Sequence, residues 1–132
     1  MKVYTPGQAN RALPLVRRIV EDVVRTHRRW RDVIQELQLL PPGARERGDA
    51  RVPALEREAA GLAHELEAFE RELDALGVAL KDRQMGLVDF LGEEEGRPVW
   101  LCWRLGEPAV QYWHDLDAGF AGRRPLPSES AT

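Results

Sequence analysis

The strongest constraint on the fold is a row of apolar residues that recurs alternately every four and every three positions through the middle of the chain. This spacing places the apolar side chains along one side of an α-helix, where a coiled-coil partner packs. We therefore predict a long helix over residues 53–80 with a heptad seam. The seam consists of Leu55, Ala59, Leu62, Leu66, Phe69, Leu73, Leu76 and Leu80.

A second long helix is predicted over residues 14–40, because its apolar residues from Val16 to Leu37 also recur with helical spacing. Two prolines and a glycine at positions 41–43 end this helix. The connection to the next helix is short, so the two helices fold back on each other as an antiparallel hairpin over residues 14–80.

A short helix is expected before the hairpin. Thr5, Pro6 and Gln8 have the pattern of an N-cap, a proline at the first helical position and a capping-box partner. Pro14 has no amide hydrogen and would interrupt a helix that continued through it. We therefore expect a bend at residues 12–13, between the short helix and the long one.

After Gly77 the pattern changes to short segments rich in β-branched and aromatic residues, separated by turns that contain glycine. These segments predict a three-stranded antiparallel β-meander over residues 86–114, and residues 125–132 are predicted to be a flexible tail. The whole chain, residues 1–132, is thus predicted to be one α+β domain. The three strand segments are 87–91, 99–104 and 109–114.

The helices are also expected to form an intermolecular contact. Two helices of this length do not shield each other completely, and Val24, Val33 and Leu40 are apolar beyond the main stripe of the first helix. A homodimer with a four-helix core is the simplest way to cover these residues. The alternative is that the C-terminal sheet covers them.

Composition narrows the class of protein. The 132 residues are 43% hydrophobic and 31% charged with a net charge of -3, which is typical of a globular protein and disfavours a nucleic-acid-binding surface. The dense basic segment 25–31 is spread around its helix and faces an acidic second helix, so we interpret it as helix pairing. No signal peptide or membrane-spanning run is present, so a cytoplasmic protein is expected.

Polar and aromatic residues of the predicted sheet form the candidate site. If residues 106–108 form a three-residue loop, Cys102 pairs with Tyr112 and Trp100 pairs with His114. A loop one residue shorter or longer would move His114 to the other face of the sheet. The candidate ligand-binding cluster comprises Asp89, Trp100, Cys102, Trp103, Arg104, Glu107, Tyr112, Trp113, His114 and Arg123.

Two interpretations of this cluster remain open. His114 with Glu107, Asp89 or Asp115 would provide imidazole and carboxylate ligands for one divalent metal ion. Arginine side chains in the same cluster would bind an anion. Alternatively, the same residues form ion pairs and a hydrogen-bonded imidazole that only stabilise the sheet.

Cys102 is the only cysteine, which excludes an internal disulfide and a zinc site built from cysteine pairs. It is a core residue, a single metal ligand or a reactive thiol, and its position between Leu101 and Trp103 favours the core. The residues match no complete catalytic set and no phosphate-binding glycine loop. Two functional hypotheses follow: a structural or protein-interaction module that dimerises through its helices, and a small-ligand or metal-binding domain, enzymatic or not.

Several strings of residues resemble a known family. They are Tyr4-Thr-Pro-Gly-Gln-Ala-Asn-Arg-Ala-Leu-Pro, Gly86-Leu-Val-Asp-Phe, Leu101-Cys-Trp-Arg-Leu-Gly-Glu-Pro, Tyr112-Trp-His and Gly119-Phe-Ala-Gly-Arg. Together they resemble the bacterial domain-of-unknown-function family 2203 over nearly the whole chain. The resemblance implies a small bacterial cytosolic protein, but it implies no substrate, cofactor or catalytic residue. The signature positions of the family coincide with Asp89, Cys102, Trp103, Arg104, Gly106, Glu107, Trp113, His114, Gly119, Phe120 and Arg123.

Overall fold

The structure, a computed structural model, describes residues 2–127 and confirms an α+β architecture of two helices followed by an antiparallel sheet. The sheet has five strands in the order β1-β2-β3-β4-β5, so each strand pairs with its neighbour in sequence. The main core lies between α1, the end of α2 and one face of this sheet. The elements are α1 (Pro6–Gln38), α2 (Arg51–Ala75), β1 (Val78–Asp82), β2 (Leu87–Glu94), β3 (Arg97–Arg104), β4 (Tyr112–Asp115), a 3-10 turn (Phe120–Gly122) and β5 (Arg124–Pro125).

The capping box at the start of α1 is confirmed, since the Gln8 amide donates to Thr5 Oγ1 at 3.1 Å and the Thr5 amide donates to Gln8 Oε1 at 3.0 Å. The predicted bend and the separate short helix are wrong, because α1 continues through Pro14 without a break. Leu13 and Val16 on either side of the proline are buried in the core, whereas Pro14 is exposed. Burying such apolar side chains contributes about 1.5–3 kcal/mol each, which offsets the roughly 3 kcal/mol cost of an interior proline.

The second helix is shorter than predicted and ends at Ala75 instead of residue 80. Gly77 has a φ of 75°, in the left-handed region where a glycine commonly ends a helix. Its amide donates to the carbonyl of Asp74, which satisfies one of the free carbonyl groups at the helix end. Leu80 continues the apolar spacing of the helix but lies in β1.

The prediction of three strands is wrong, because β1 and β5 flank the predicted meander. Residues 78–80 of β1 fall at the end of the predicted second helix, and residues 81–82 fall in no predicted element. In β5, Arg124 falls in no predicted element and Pro125 falls in the predicted tail. Pro125 pairs with Tyr112, and the Leu126 amide donates to the carbonyl of Gln111 at 2.8 Å, so residues 125 and 126 are bonded to the sheet and not part of a free tail. The last five residues of the predicted tail, 128–132, lie outside the described residues.

The register between β3 and β4 is the one expected for a three-residue loop, with Trp100 opposite His114 and Cys102 opposite Tyr112. The connection between β3 and β4 is longer than the three residues assumed. The Glu107 amide donates to the carbonyl of Arg104 at 3.0 Å, and the Trp103 indole donates to the carbonyl of Glu107 at 3.0 Å. These bonds fold the loop against β3, so a longer connection still delivers the same register.

The helical hairpin buries Val33 of α1 and Leu66 of α2 within a single chain. Val24 is half-buried and packs against the main core, so part of the surface expected at a dimer interface is covered within one chain. The homodimer stays a prediction. Among residues 2–127, no helix combines the length and the apolar character needed to cross a membrane.

Candidate metal centre

Three side chains with metal-binding groups are buried together on the face of the sheet that points away from the helices. Asp89 of β2 lies directly opposite Cys102 of β3, and His114 of β4 lies opposite the neighbouring Trp100. Their exposed fractions are 2% for Asp89, 0% for Cys102 and 3% for His114. One carboxylate oxygen, the Sγ atom and one ring nitrogen all lie within 4.8 Å of one another.

The alternation of each strand produces this arrangement. Val88 and Phe90 on β2, and Leu101 and Trp103 on β3, are buried in the core beneath the helices. The residue between each pair therefore points to the opposite face. Among the described residues, Asp89 and His114 are the only buried polar or charged residues, although they lie on the face that the helices do not cover.

Arg123 covers the thiol side of this cluster. Its guanidinium carbon lies 3.9 Å from the centroid of the Tyr112 ring and 4.2 Å from that of Phe120. The same guanidinium donates to Glu107 Oε1 at 3.0 Å and approaches Cys102 Sγ at 3.8 Å. The chain after β4 thus folds back over the sheet and closes the cluster from solvent.

The two ring nitrogens of His114 have different partners. Nδ1 lies 2.9 Å from the carbonyl oxygen of Asp115, which can only accept, so Nδ1 carries a hydrogen and donates. Nε2 lies 3.2 Å from Oδ1 and 3.1 Å from Oδ2 of Asp89. A neutral imidazole would therefore direct a lone pair at a carboxylate, which is unfavourable unless a proton or a metal cation lies between them.

Residues 2–126, which include this cluster and the residues that cover it, match the family model described as "Uncharacterized conserved protein (DUF2203)". The chain belongs to the DUF2203 family. No curated protein and no solved structure matches the chain. Membership in DUF2203 assigns no activity, so the function is inferred from the chemistry of the site.

Burial shifts Asp89 and Cys102 of this DUF2203 chain toward their neutral forms. Removal from water raises the pKa of the Asp89 carboxyl, while the nearby His114 and Lys81 partly oppose the shift. Burial, together with the negative charge of Asp89, raises the pKa of the Cys102 thiol to about 12, although Arg123 opposes this. Without a cation the thiol is therefore protonated at neutral pH.

A cysteine–histidine catalytic pair is not supported by these contacts. The base in such a pair needs a ring nitrogen that accepts the thiol proton. Both nitrogens of His114 face other groups, namely the Asp115 carbonyl and the Asp89 carboxylate. The raised pKa of Cys102 is also opposite to the lowered value of a reactive thiol.

The structure brings most of the predicted cluster to the outer face of the sheet. Trp100 and Tyr112 are half-buried there beside the three central side chains. The structure also adds Lys81, whose ammonium lies 4.7 Å from the centroid of the Trp100 ring. Lys81 lies at an irregularity in the pairing of β1 with β2, and no sequence pattern indicates it.

The other predicted residues lie elsewhere. Trp103 is fully buried in the core, and the partly buried Trp113 packs against the same core. Arg104 is exposed at the end of β3. The Asp115 carboxylate lies 3.4 Å from Arg97 and 3.7 Å from Arg124, so only its backbone contacts His114.

Proposed function

We propose that the chain is a metal-binding protein that holds one divalent transition-metal ion, best matched by zinc, through Asp89, Cys102 and His114. The observation that carries this proposal is the hydrogen bond that fixes Nδ1 of His114 as a donor and directs Nε2 at the Asp89 carboxylate. A divalent cation between these two groups would satisfy both of them at once.

The spacing of the ligand atoms suits a metal ion. Zinc binds histidine nitrogen at about 2.0–2.1 Å and carboxylate oxygen at about 2.0–2.2 Å, so two such ligands at a tetrahedral angle lie about 3.3 Å apart. His114 Nε2 and Asp89 Oδ2 are 3.1 Å apart. The Cys102 Sγ atom, within 4.8 Å of both, would move closer by up to about 1.2 Å to complete the site.

The groups around the ligands support the same conclusion. A metal-binding histidine usually donates its second ring hydrogen to a carbonyl or a carboxylate, as His114 does to Asp115. An ionised Asp89 and an ionised Cys102 would neutralise a divalent ion, which makes the buried site electrically balanced. Arg123 near the thiolate is itself balanced by Glu107.

The mixed set of ligands favours some metals over others. A thiolate and an imidazole select zinc, cobalt or iron, whereas magnesium and calcium prefer oxygen ligands alone. Three protein ligands leave a fourth position for water or a bound molecule. The proposal therefore covers metal binding, with no reaction attached to it.

Interaction through the helices has weaker support. The large apolar side chains that are most exposed are Val3, Leu15, Leu39 and Leu116, which come from separate parts of the described chain. Leu15 and Leu39 are about 36 Å apart along the helical axis and so form no compact patch. The mass of the protein in solution would test the homodimer directly.

Elemental analysis of the untagged protein, purified without chelator, tests the metal proposal. We expect close to one equivalent of zinc per chain, and we expect cobalt to replace it and to show sulfur-to-metal charge transfer. His114→Ala should lower the metal affinity by more than about 100-fold, whereas His64→Ala, on α2 and away from the cluster, should not. A wild-type protein that neither retains nor takes up zinc or cobalt would overturn the proposal.

A further inference from the structure

A wide cleft of about 900 Å³ is lined by residues other than the proposed metal ligands. The second half of α1 forms one wall of the cleft. The turn between β1 and β2, and the end of β3 at Arg104, form the other wall. A cleft of this size is within the range that binds small molecules in proteins.

Three arginines line this cleft without a carboxylate partner among the described residues. They are Arg28, Arg31 and Arg104, and the only carboxylate in the lining belongs to Asp32. The cleft is therefore positively charged although the whole chain is negative.

The basic segment 25–31 is thus divided by the fold. Arg25 pairs with Asp22 on its own helix, and Arg29 donates to Glu58 of α2 at 2.7 Å. Arg28 and Arg31 line the cleft instead. Helix pairing therefore explains only part of this segment.

The cleft also has an aromatic wall, formed by His27 and Trp30. The rings of His27 and Trp30 stack with centroids 5.9 Å apart and an angle of 23° between their planes. Burial, and the positive charges of Arg83 and Arg31, lower the pKa of His27. His27 is therefore neutral at pH 7, and the positive potential belongs to the arginines.

We propose that this cleft binds a small organic anion that has a planar ring and either a phosphate or a carboxylate group. The guanidinium groups of Arg28, Arg31 and Arg104 bind the oxyanion through paired hydrogen bonds. The ring stacks on the aromatic wall beside apolar Met85 and Leu105. Only three unpaired guanidiniums line the cleft within the described chain, so the charge suits one small anion better than a nucleic-acid backbone.

Nuclear magnetic resonance titration of the isotope-labelled full chain tests this proposal with three probes: adenosine monophosphate, benzoate and inorganic phosphate. We expect adenosine monophosphate or benzoate to shift the indole signal of Trp30, which Trp30→Phe identifies. Whichever of these two probes binds more tightly shows whether the cleft prefers the phosphate or the carboxylate compound. Inorganic phosphate should bind at least about tenfold more weakly than that probe, because it has no ring to stack.

A matched pair of double variants separates the cleft from general charge. Arg28→Gln with Arg31→Gln should weaken binding of the better probe by at least about tenfold, because charge-assisted hydrogen bonds are lost. Arg11→Gln with Arg18→Gln removes the same charge from exposed positions of the same helix and should change binding less than about twofold. The proposal is overturned if neither organic probe shifts the Trp30 signal, or if the two double variants weaken binding equally. It is also overturned if a single-stranded oligonucleotide binds the cleft while adenosine monophosphate and benzoate do not.

Discussion

Nε2 of His114 lies 3.1 Å from Oδ2 of Asp89, although the strands that carry them, β4 and β2, are not neighbours in the sheet. The contact crosses over β3, the strand to which both of the others pair. Cys102 of β3 is the third member of the cluster. The three central strands are thus joined by side chains on the outer face as well as by backbone hydrogen bonds.

Asp89→Asn distinguishes a metal ligand from a structural partner of His114. The asparagine amide can donate to Nε2, so the chelator-treated variant should unfold with a free energy within about 1 kcal/mol of the chelator-treated wild type. Loss of the anionic ligand should lower zinc affinity by at least about tenfold. Chemical unfolding and zinc competition measure the two effects. Equal zinc affinity in variant and wild type would show that Asp89 does not bind the metal.

Arg123→Leu tests the cover over the cluster. Glu107, whose side chain is 17% exposed, would lose its ion-pair partner and keep only the Arg104 amide as a donor, so the free energy of unfolding should fall by about 1–3 kcal/mol. Zinc should also be lost faster to an added chelator, because the thiol side becomes open. Arg97→Leu is the matched control, since its exposed pair with Asp115 contributes about 1 kcal/mol or less. Identical rates of zinc loss in both variants would contradict a covering role.

Tyr4→Phe should reduce stability at neutral pH and weaken the response to alkaline pH. The Tyr4 hydroxyl donates to the carbonyl of Leu76, and removing this bond costs about 1 kcal/mol. Burial raises the pKa of Tyr4 above its ordinary 10.0, so the folded state favours the neutral phenol. This contribution is complete below pH 10.0 and is lost as the pH rises through the folded-state value. Urea unfolding at about pH 8, 10 and 11, on either side of the ordinary tyrosine pKa, measures this contribution. Tyr112→Phe is the control. Parallel pH profiles of the wild type and the Tyr4→Phe variant would exclude a contribution of Tyr4 to the pH dependence.

Gly86→Ala and Gly96→Ala separate steric crowding from backbone strain. Both glycines have positive φ, 69° at Gly86 and 77° at Gly96, so both variants lose about 1 kcal/mol to backbone strain. A Cβ at Gly86 would lie 2.8 Å from Leu105 and 2.9 Å from Val20, whereas one at Gly96 would meet nothing within 4 Å. Gly86→Ala should therefore cost about 1–3 kcal/mol more in thermal unfolding. Equal melting temperatures would show that the side chains around Gly86 move aside freely.

Pro14 and Leu80 show where sequence patterns mislead. Both patterns depend on neighbouring residues alone. The proline pattern predicts a helix break at Pro14, and the apolar spacing predicts a helix that continues through Leu80. In the structure, core packing on both sides of Pro14 keeps α1 continuous, and Gly77 ends α2 before Leu80. The glycine is visible in the sequence, whereas the burial that keeps α1 intact is not.

The candidate site divides in the same way. Strand alternation is predictable from the sequence, whereas the register between β3 and β4 is predicted only for a three-residue loop. Together they place Trp100, Cys102, Tyr112 and His114 on one face. The predicted cluster includes Asp89, but the contact of Asp89 with His114 depends on two registers at once. The separation of Trp103 from the site follows from the alternation as well, since it points to the core.

Local sequence patterns are enough to predict the two helices, the capping box at Thr5 and the antiparallel order of the central strands. They also show the similarity to a family. Contacts between distant segments, in contrast, extend the sheet by β1 and β5, place Arg123 over Cys102 and bring Asp89 to His114 across β3. The physical reason is that these contacts depend on how the whole chain buries its apolar surface, which no local pattern records.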